Sequence, residues 1–328
     1  MQRVLQEAFQ AKSPQLESIL SLTYGNNMTT LDWMEVGPRS FLCRLFRPFA
    51  AMLPRHLRAG VALVPVVRMS GVIGFSTPLR PGLTLSGMAR ALDRAFAMRR
   101  ATAVALLINS PGGSPVQSHL IFRRIRQLAR EKRLPVIAFV EDVGASGGYM
   151  IACAADEIVC DPSSIVGSIG VVGGSFGFDK LMEKIGVQRR LYTAGERKAM
   201  LDPFLPEKPE DVERLKQIQS EIHRSFIALV KERRADKLRG PENTLFSGEY
   251  WTGARAVELG IADTLGDLRT ILRERYGKDV LMPLVAAERG FFARHFRSGI
   301  ERLRARPGLP DELISALEER ALWSRFGL

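Results

Sequence analysis

From residue 61 onward, continuous apolar runs alternate with segments in which apolar side chains recur every three or four positions. "VALVPVVRM" (61–69), "AVALLIN" (103–109), "VIAFVE" (136–141) and the short "EIVC" (157–160) have the first pattern. They predict strands buried on both faces. "LSGMARALDRAFAMRR" (85–100), with Leu85, Met88, Ala89, Leu92 and Phe96 in helical period, has the second. "PVQSHLIFRRIRQLAREKR" predicts a helix with Pro115 in its first turn, and "SGGYMIACAA" a short one. Strands that alternate with helices imply an α/β fold around a parallel sheet.

Further along, a glycine-rich stretch "GSIGVVGGSFGF" leads to a helix "DKLMEKIG" and then "VQRRLYTA". Pro209 to about Ala235 predicts a long helix with Val212, Leu215, Ile218, Ile222, Phe226 and Leu229 on one stripe. "WTGARAVELGIADTLGDLRTILRERYG" predicts two more helices around a stop at Gly260. The order suggests three parts: an N-terminal extension (1–60), a central α/β domain (61–277) and a C-terminal extension (278–328). In the first, "PRSFLCRLFRPFAAMLPRHLR" (38–58) sets five arginines among phenylalanines and leucines with no acid. This suits a helix lying on an anionic membrane surface, and equally a basic arm that docks on protein.

Composition narrows the classes. With 328 residues, 46% hydrophobic and 25% charged, the chain is an ordinary globular one with a sizeable core. Its net charge of +12 favours an anionic contact, and part of the excess is arginine near the two ends. Nucleic acid is the weaker candidate, because these basic stretches lack stacking platforms. Cys43, Cys153 and Cys160 form no disulfide framework or CxxC pair, so neither zinc nor an oxidising compartment is expected. There is no apolar run of roughly 18 residues, and the first 30 residues, with Glu7 and Glu17, do not read as a signal peptide. The expected location is therefore cytoplasmic, or peripheral at the cytoplasmic membrane.

The candidate chemistry lies in two turns at strand ends. "NSPGGS" (109–114) follows the second strand and "GASGG" (144–148) the third, so amides of one loop can face Ser146 on the next. Ser146 has two readings: a helix N-cap, or a nucleophile on a sharp turn with the GxSxG spacing of Gly144, Ser146 and Gly148. A serine nucleophile needs a base. His56 and His295 lie in the basic ends, and His119 and His223 fall within helices, which makes them poor candidates. Lysine serves when burial strips its proton, since a free amine near pKa ~10.4 is well under ~1% neutral at pH 7. Lys198 is the candidate, although Glu196-Arg197-Lys198 by itself reads as a solvated charge run.

Three ordered motifs decide between these readings. "INSPGGSP", "VGASGGYMIACAADEIVCDPSSIVGSIGVVGG" and "AGERKAMLDPF" resemble the signal peptide peptidase A family of serine-lysine peptidases, over about residues 60 to 276. The resemblance implies a Clp protease/crotonase-like fold of stacked strand-strand-helix units, here with helical N- and C-terminal extensions. It implies Ser146 as nucleophile, Lys198 as general base, and an oxyanion hole from the amides of Gly113, with Gly112 beside it, and Gly147. Ser168 matches a hydroxyl that holds the lysine, and its alternative is a turn serine bonded to its own backbone. Asn109 and Asp202 read as turn and loop supports. Arg197 beside the base would favour its neutral form, and Glu196 would oppose it.

The activity so implied is endopeptidase cleavage of signal peptides or other small membrane-associated or unfolded polypeptides, with small apolar P1 residues. No metal or cofactor is required. The partners implied are a polypeptide substrate, further copies of the chain in a ring or dome, and an anionic membrane touched peripherally, with no nucleic acid. Many members carry an N-terminal membrane anchor, and no such segment is expected here. A crotonase-type acyl-CoA enzyme and a non-catalytic membrane scaffold are the alternatives.

Overall fold

The computed structural model describes residues 61–74, 82–195, 197–286 and 320–327. The basic stretch 38–58, Cys43, His56, Glu196, His295 and most of the C-terminal extension lie outside the described residues. Within them, β1 (Val66–Ser70), α1 (Leu85–Ala97), β2 (Val104–Ser110), α2 (Pro115–Lys132), β3 (Val136–Ala145) and α3 (Gly147–Ala152) follow one another. Then come β4 (Glu157–Cys160), β5 (Ile165–Gly167), α4 (Asp179–Lys184), α5 (Pro209–Arg234) and α6 (Glu242–Leu245). β6 (Tyr250–Thr252), α7 (Gly253–Glu258), β7 (Thr264–Leu265), α8 (Leu268–Tyr276) and β8 (Leu284–Val285) complete the order.

The α/β class expected from the alternating patterns is the one found. Strands run in the order β6-β5-β3-β2-β1-β8, with β4 between β3 and β7. All neighbours are parallel except β5 and β6. β3 is long enough to serve two partners: Ile137–Val140 pair with β4, and Val143–Ala145 with β5. The sheet therefore forks where β3 approaches Ser146.

Both faces of the sheet are covered, which is why its strands read as unbroken apolar runs. On one face Val67, Met69, Leu106, Ile108 and Ala138 pack with α1, α2, α3 and the second half of α5. On the other, Val66, Ala105, Ile137, Phe139 and Val159 pack against Ile271 and Leu272 of α8. Burying a single leucine- or isoleucine-sized side chain in either layer contributes about 1.5–3 kcal/mol. The helix starts are capped as their sequences suggest: Thr84 accepts from Gly87, Ser114 from Gln117, and Asp267 from Arg269 and Thr270.

The long-helix stripe is only partly covered. Phe226 and Leu229 are buried, whereas Val212, Leu215, Ile218 and Ile222 are half-buried. Nearby, α4 forms where expected but has no buried residue. Val172, Phe176, Leu181, Ile185 and Tyr192 are all exposed around it, Phe176 at 79% and Tyr192 at 89%.

Candidate active site

β2 and β3 end side by side, and the register between them shifts after Ile108, so that Ser110 pairs with Gly144. Asn109 secures the junction: its Nδ2 donates to Asp142 Oδ2 at 2.6 Å, and its Oδ1 accepts from the Val143 amide. Beyond Ser110, the loop 111–113 turns back along Ile73. The Ile73 amide donates to Gly112 O and the Ser114 amide to Ile73 O, both at 2.8 Å. A bridge of this parallel kind directs the Gly113 amide away from Ile73. The Ser110 hydroxyl braces the same loop, donating to Gly71 O and accepting from the Gly112 amide.

The glycines of both turns are dictated by crowding. Gly112 has φ +105, and a Cβ there would lie 2.8 Å from Ser146 Cβ and 3.0 Å from the Gly147 nitrogen. The 112–113 loop thus rests directly against the Ser146 turn. Gly113 has φ +140, and a Cβ on it would meet Ile73 O at 2.1 Å. Gly147 and Gly148 let α3 settle on its neighbours, with Ser118 Oγ at 2.3 Å and Ser110 O at 2.6 Å from where their Cβ atoms would be.

Ser146 stands at the N-cap position of α3 with φ 52 and ψ −120, a conformation costly to a residue with a Cβ by about 1–3 kcal/mol. It is held there from both sides: its amide donates to Gly167 O at 2.8 Å, and its carbonyl accepts from Met150. Its side chain makes no capping hydrogen bond. The hydroxyl of a half-buried serine on a sharp strand-to-helix turn is thus uncommitted. Among the described residues, the amides of Gly113 and Gly147 also find no acceptor. A hydroxyl with two free amides around it can attack a carbonyl and then hold the resulting oxyanion.

The other expected residues are placed as follows. Ser168 is buried at φ 54, one residue beyond the carbonyl that fixes the Ser146 amide, and its hydroxyl makes no bond to its own turn. Lys198 is exposed, as are residues 187–195 and Arg197, and its amine has no hydrogen bond or ion pair with a described residue. Among the described residues, no hydrogen bond joins it to Ser146. Asp202 does support its loop: it accepts from the Phe204 amide and pairs with Arg189 at 2.9 Å. His223 reaches Ile169 O with Nε2 at 3.0 Å, and His119 stacks on Phe122.

Sequence reasoning missed Ile73, Ser110 and Ser118. Their roles are contacts of backbone and short side chains, for which the only available signal was the density of glycines opposite them. It also missed the anchoring of α3 by Tyr149, whose buried hydroxyl donates to Ile261 O at 2.9 Å. Burial, above all, raises the Tyr149 pKa well above its ordinary value, so it is a donor and not a base. Cys153 and Cys160 are buried too, and burial pushes their thiols up to about 11 and about 12. Among the described residues no cluster of His, Cys, Asp and Glu could hold a metal ion, and no helix is long and apolar enough to cross a membrane.

Comparison with known proteins gives the following. Residues 128–278 match the model of peptidase family S49. A Brucella abortus protein named "Na(+)/H(+) antiporter NhaA" is 54% identical over 284 residues, covering 84% of this chain and 38% of that protein. "Serine protease SPPA, chloroplastic" from Arabidopsis thaliana is 38% identical over 170 residues, covering 51% of this chain and 24% of that one. The chain thus spans well under half the length of either relative. Among solved structures, a membrane-bound stomatin-specific protease superposes with a TM-score of 0.41 at 17% identity, over 70% of this chain and 95% of the other.

Proposed function

We propose, from the match of residues 128–278 to peptidase family S49 and the geometry around Ser146, that this chain is a serine endopeptidase of that family working through Ser146 and Lys198. The observation that carries the reading is the Ser146 turn, with its strained backbone, its uncommitted hydroxyl and the unpartnered amides of Gly113 and Gly147. In the first step neutral Lys198 takes the Ser146 proton as Oγ bonds to the scissile carbonyl carbon. The two amides hold the oxyanion of the tetrahedral intermediate. The protonated lysine then passes its proton to the leaving amine as the C–N bond breaks, which leaves an acyl ester on Ser146. Water, deprotonated by Lys198, adds to the ester; the bond between the acyl carbon and Ser146 Oγ then breaks, the lysine returns its proton to Oγ, and the acid is released. Ser168, buried one residue from the Gly167 carbonyl that binds Ser146, is assigned to holding the lysine.

Proton acceptance requires a desolvated lysine. Lys198 is exposed in the single chain, beside a stretch that also exposes Val172, Phe176, Leu181 and Ile185. We assign the covering of both to neighbouring copies in a ring or dome, so that assembly completes the site. The proposed substrates are signal peptides or other small membrane-associated or unfolded polypeptides.

The test is hydrolysis of fluorogenic casein and of a signal-peptide-like substrate by the parent chain, Ser146→Ala and Lys198→Ala, each shown to be folded and equally assembled. Activity in the parent and its loss in both variants supports the reading. Equal cleavage by all three assigns the activity elsewhere and refutes it.

A further inference from the structure

The two amides proposed for the oxyanion hole sit at the starts of two different helices. Gly113 immediately precedes Ser114, the N-cap of α2, and Gly147 is the first residue of α3. Their separation is therefore set by how α2 and α3 are fixed to each other. At the near end the fixing is steric, because α3 lies so close to α2 that Gly147 has no room for a Cβ beside Ser118. At the far end it is polar. Arg126 of α2 donates from Nη1 to Ala154 O at 3.0 Å, just past the last turn of α3. Arg233 of α5 donates to Cys153 O and Ala155 O, each at 3.0 Å. Three successive carbonyls at the end of a helix, which have no partner within it, are thus taken up by two guanidiniums.

Asp156 closes the cluster. Its Oδ1 accepts from both arginines, at 2.8 and 3.2 Å, and its Oδ2 accepts from the Val136 amide at the start of β3. The guanidiniums are mostly buried, with 15% and 19% of the side chain exposed. We infer that Arg126, supported by Arg233 and Asp156, is a positioning residue for the oxyanion amides, clamping the far ends of the two helices that begin at Gly113 and Gly147. This rests on the reading of those amides as the oxyanion hole. At a rise of 1.5 Å per residue, the clamp lies about 16 Å along α2 and about 10 Å along α3 from the amides. A slip of about 1 Å there would tilt α3 by about 6° and re-aim the Gly147 amide relative to that of Gly113, and catalysis is sensitive to displacements of that size.

One nitrogen of Arg126 makes both of its bonds, and its Nε is buried without a partner. A lysine ammonium can therefore replace it, and methionine cannot. The experiment compares the full chain with Arg126→Lys and Arg126→Met, by steady-state hydrolysis, by inhibition with a peptide aldehyde, and by hydrogen exchange. For Arg126→Met, kcat should fall about tenfold with KM within about twofold, and aldehyde affinity should fall by the same factor as kcat. Arg126→Lys should stay within about twofold of the parent. Exchange across residues 144–155 should quicken about tenfold in the methionine variant while β1 and β2 keep their protection. Unchanged exchange in 144–155, or a uniform acceleration through the sheet, overturns the clamp. If no parent hydrolysis is found, the peptidase reading fails while the exchange comparison still decides whether Arg126 fixes α3.

Discussion

Substituting Gly147 tests how tightly α3 sits on α2, and hence the geometry of the proposed site. Gly147 has ordinary helical backbone, so alanine meets no conformational objection there and even gains a few tenths of a kcal/mol in propensity. What opposes it is space. A Cβ would lie 2.3 Å from Ser118 Oγ, 3.3 Å from Ile73 Cδ1 and 3.4 Å from Ser118 Cβ. Ile73 can turn its terminal methyl aside, whereas Ser118 is fully buried and its hydroxyl donates to Ser114 O at 2.9 Å. Displacing it forfeits that bond, about 1 kcal/mol, and overpacks a filled interior, so Gly147→Ala should destabilise by about 2 kcal/mol. Ser118→Ala should cost about 1 kcal/mol, since Ser114 O still accepts from the Ser118 amide. In the double variant the nearest Ser118 atom is its Cβ, at ordinary contact distance. The pair together should then cost about 1 kcal/mol instead of the additive 3, a coupling of about 2 kcal/mol. Equilibrium urea unfolding of the four proteins at matched m-values measures it. Additivity within about 0.5 kcal/mol would refute the packing described for α3.

Gly112→Ala places a Cβ 2.8 Å from Ser146 Cβ at φ +105 and should lower kcat by about 100-fold with little change in KM, read by steady-state kinetics on a variant that still unfolds cooperatively. Acid should weaken the fold through two carboxylates. Hydrogen bonds from Arg275 hold Glu157 below its ordinary 4.5; burial pushes Asp263 up, but hydrogen bonds from Arg234 and Lys237 outweigh it and hold the group below 3.8. Both bind fewer protons folded than unfolded, so their contribution is complete above about pH 5 and is lost as the pH falls through about 4 and below. Urea midpoints across that range should drop less steeply in Glu157→Gln and Asp263→Asn than in the parent. Cys153 and Cys160, with thiols pushed up to about 11 and about 12, should resist iodoacetamide at neutral pH in the native chain and react only in denaturant, as mapped by peptide mass spectrometry.

Much of the central sheet was legible because its strands are buried on both faces. Burial of that kind leaves continuous runs such as "AVALLIN", and the helices between them keep an unbroken period. The short strands β5, β6, β7 and β8, of two or three residues each, leave no such trace, since tertiary pairing creates them. At the site, the spacing of glycines around Ser146 was visible, and its two readings were not separable. A cap and a nucleophile both call for serine before a helix, and only the φ of 52 with an unengaged hydroxyl distinguishes them. The environment of Lys198 is illegible for another reason. Its stretch leaves apolar side chains exposed, and the neighbouring copies proposed to cover them leave no pattern in a single sequence.

The most direct test of the central claim is acid-quenched mass spectrometry of the assembled protein during turnover of an activated peptide ester. A transient mass increase equal to the acyl group is expected, mapped to the peptide containing Ser146 and absent from Ser146→Ala. Product release with no adduct, or an adduct on another residue, would contradict it.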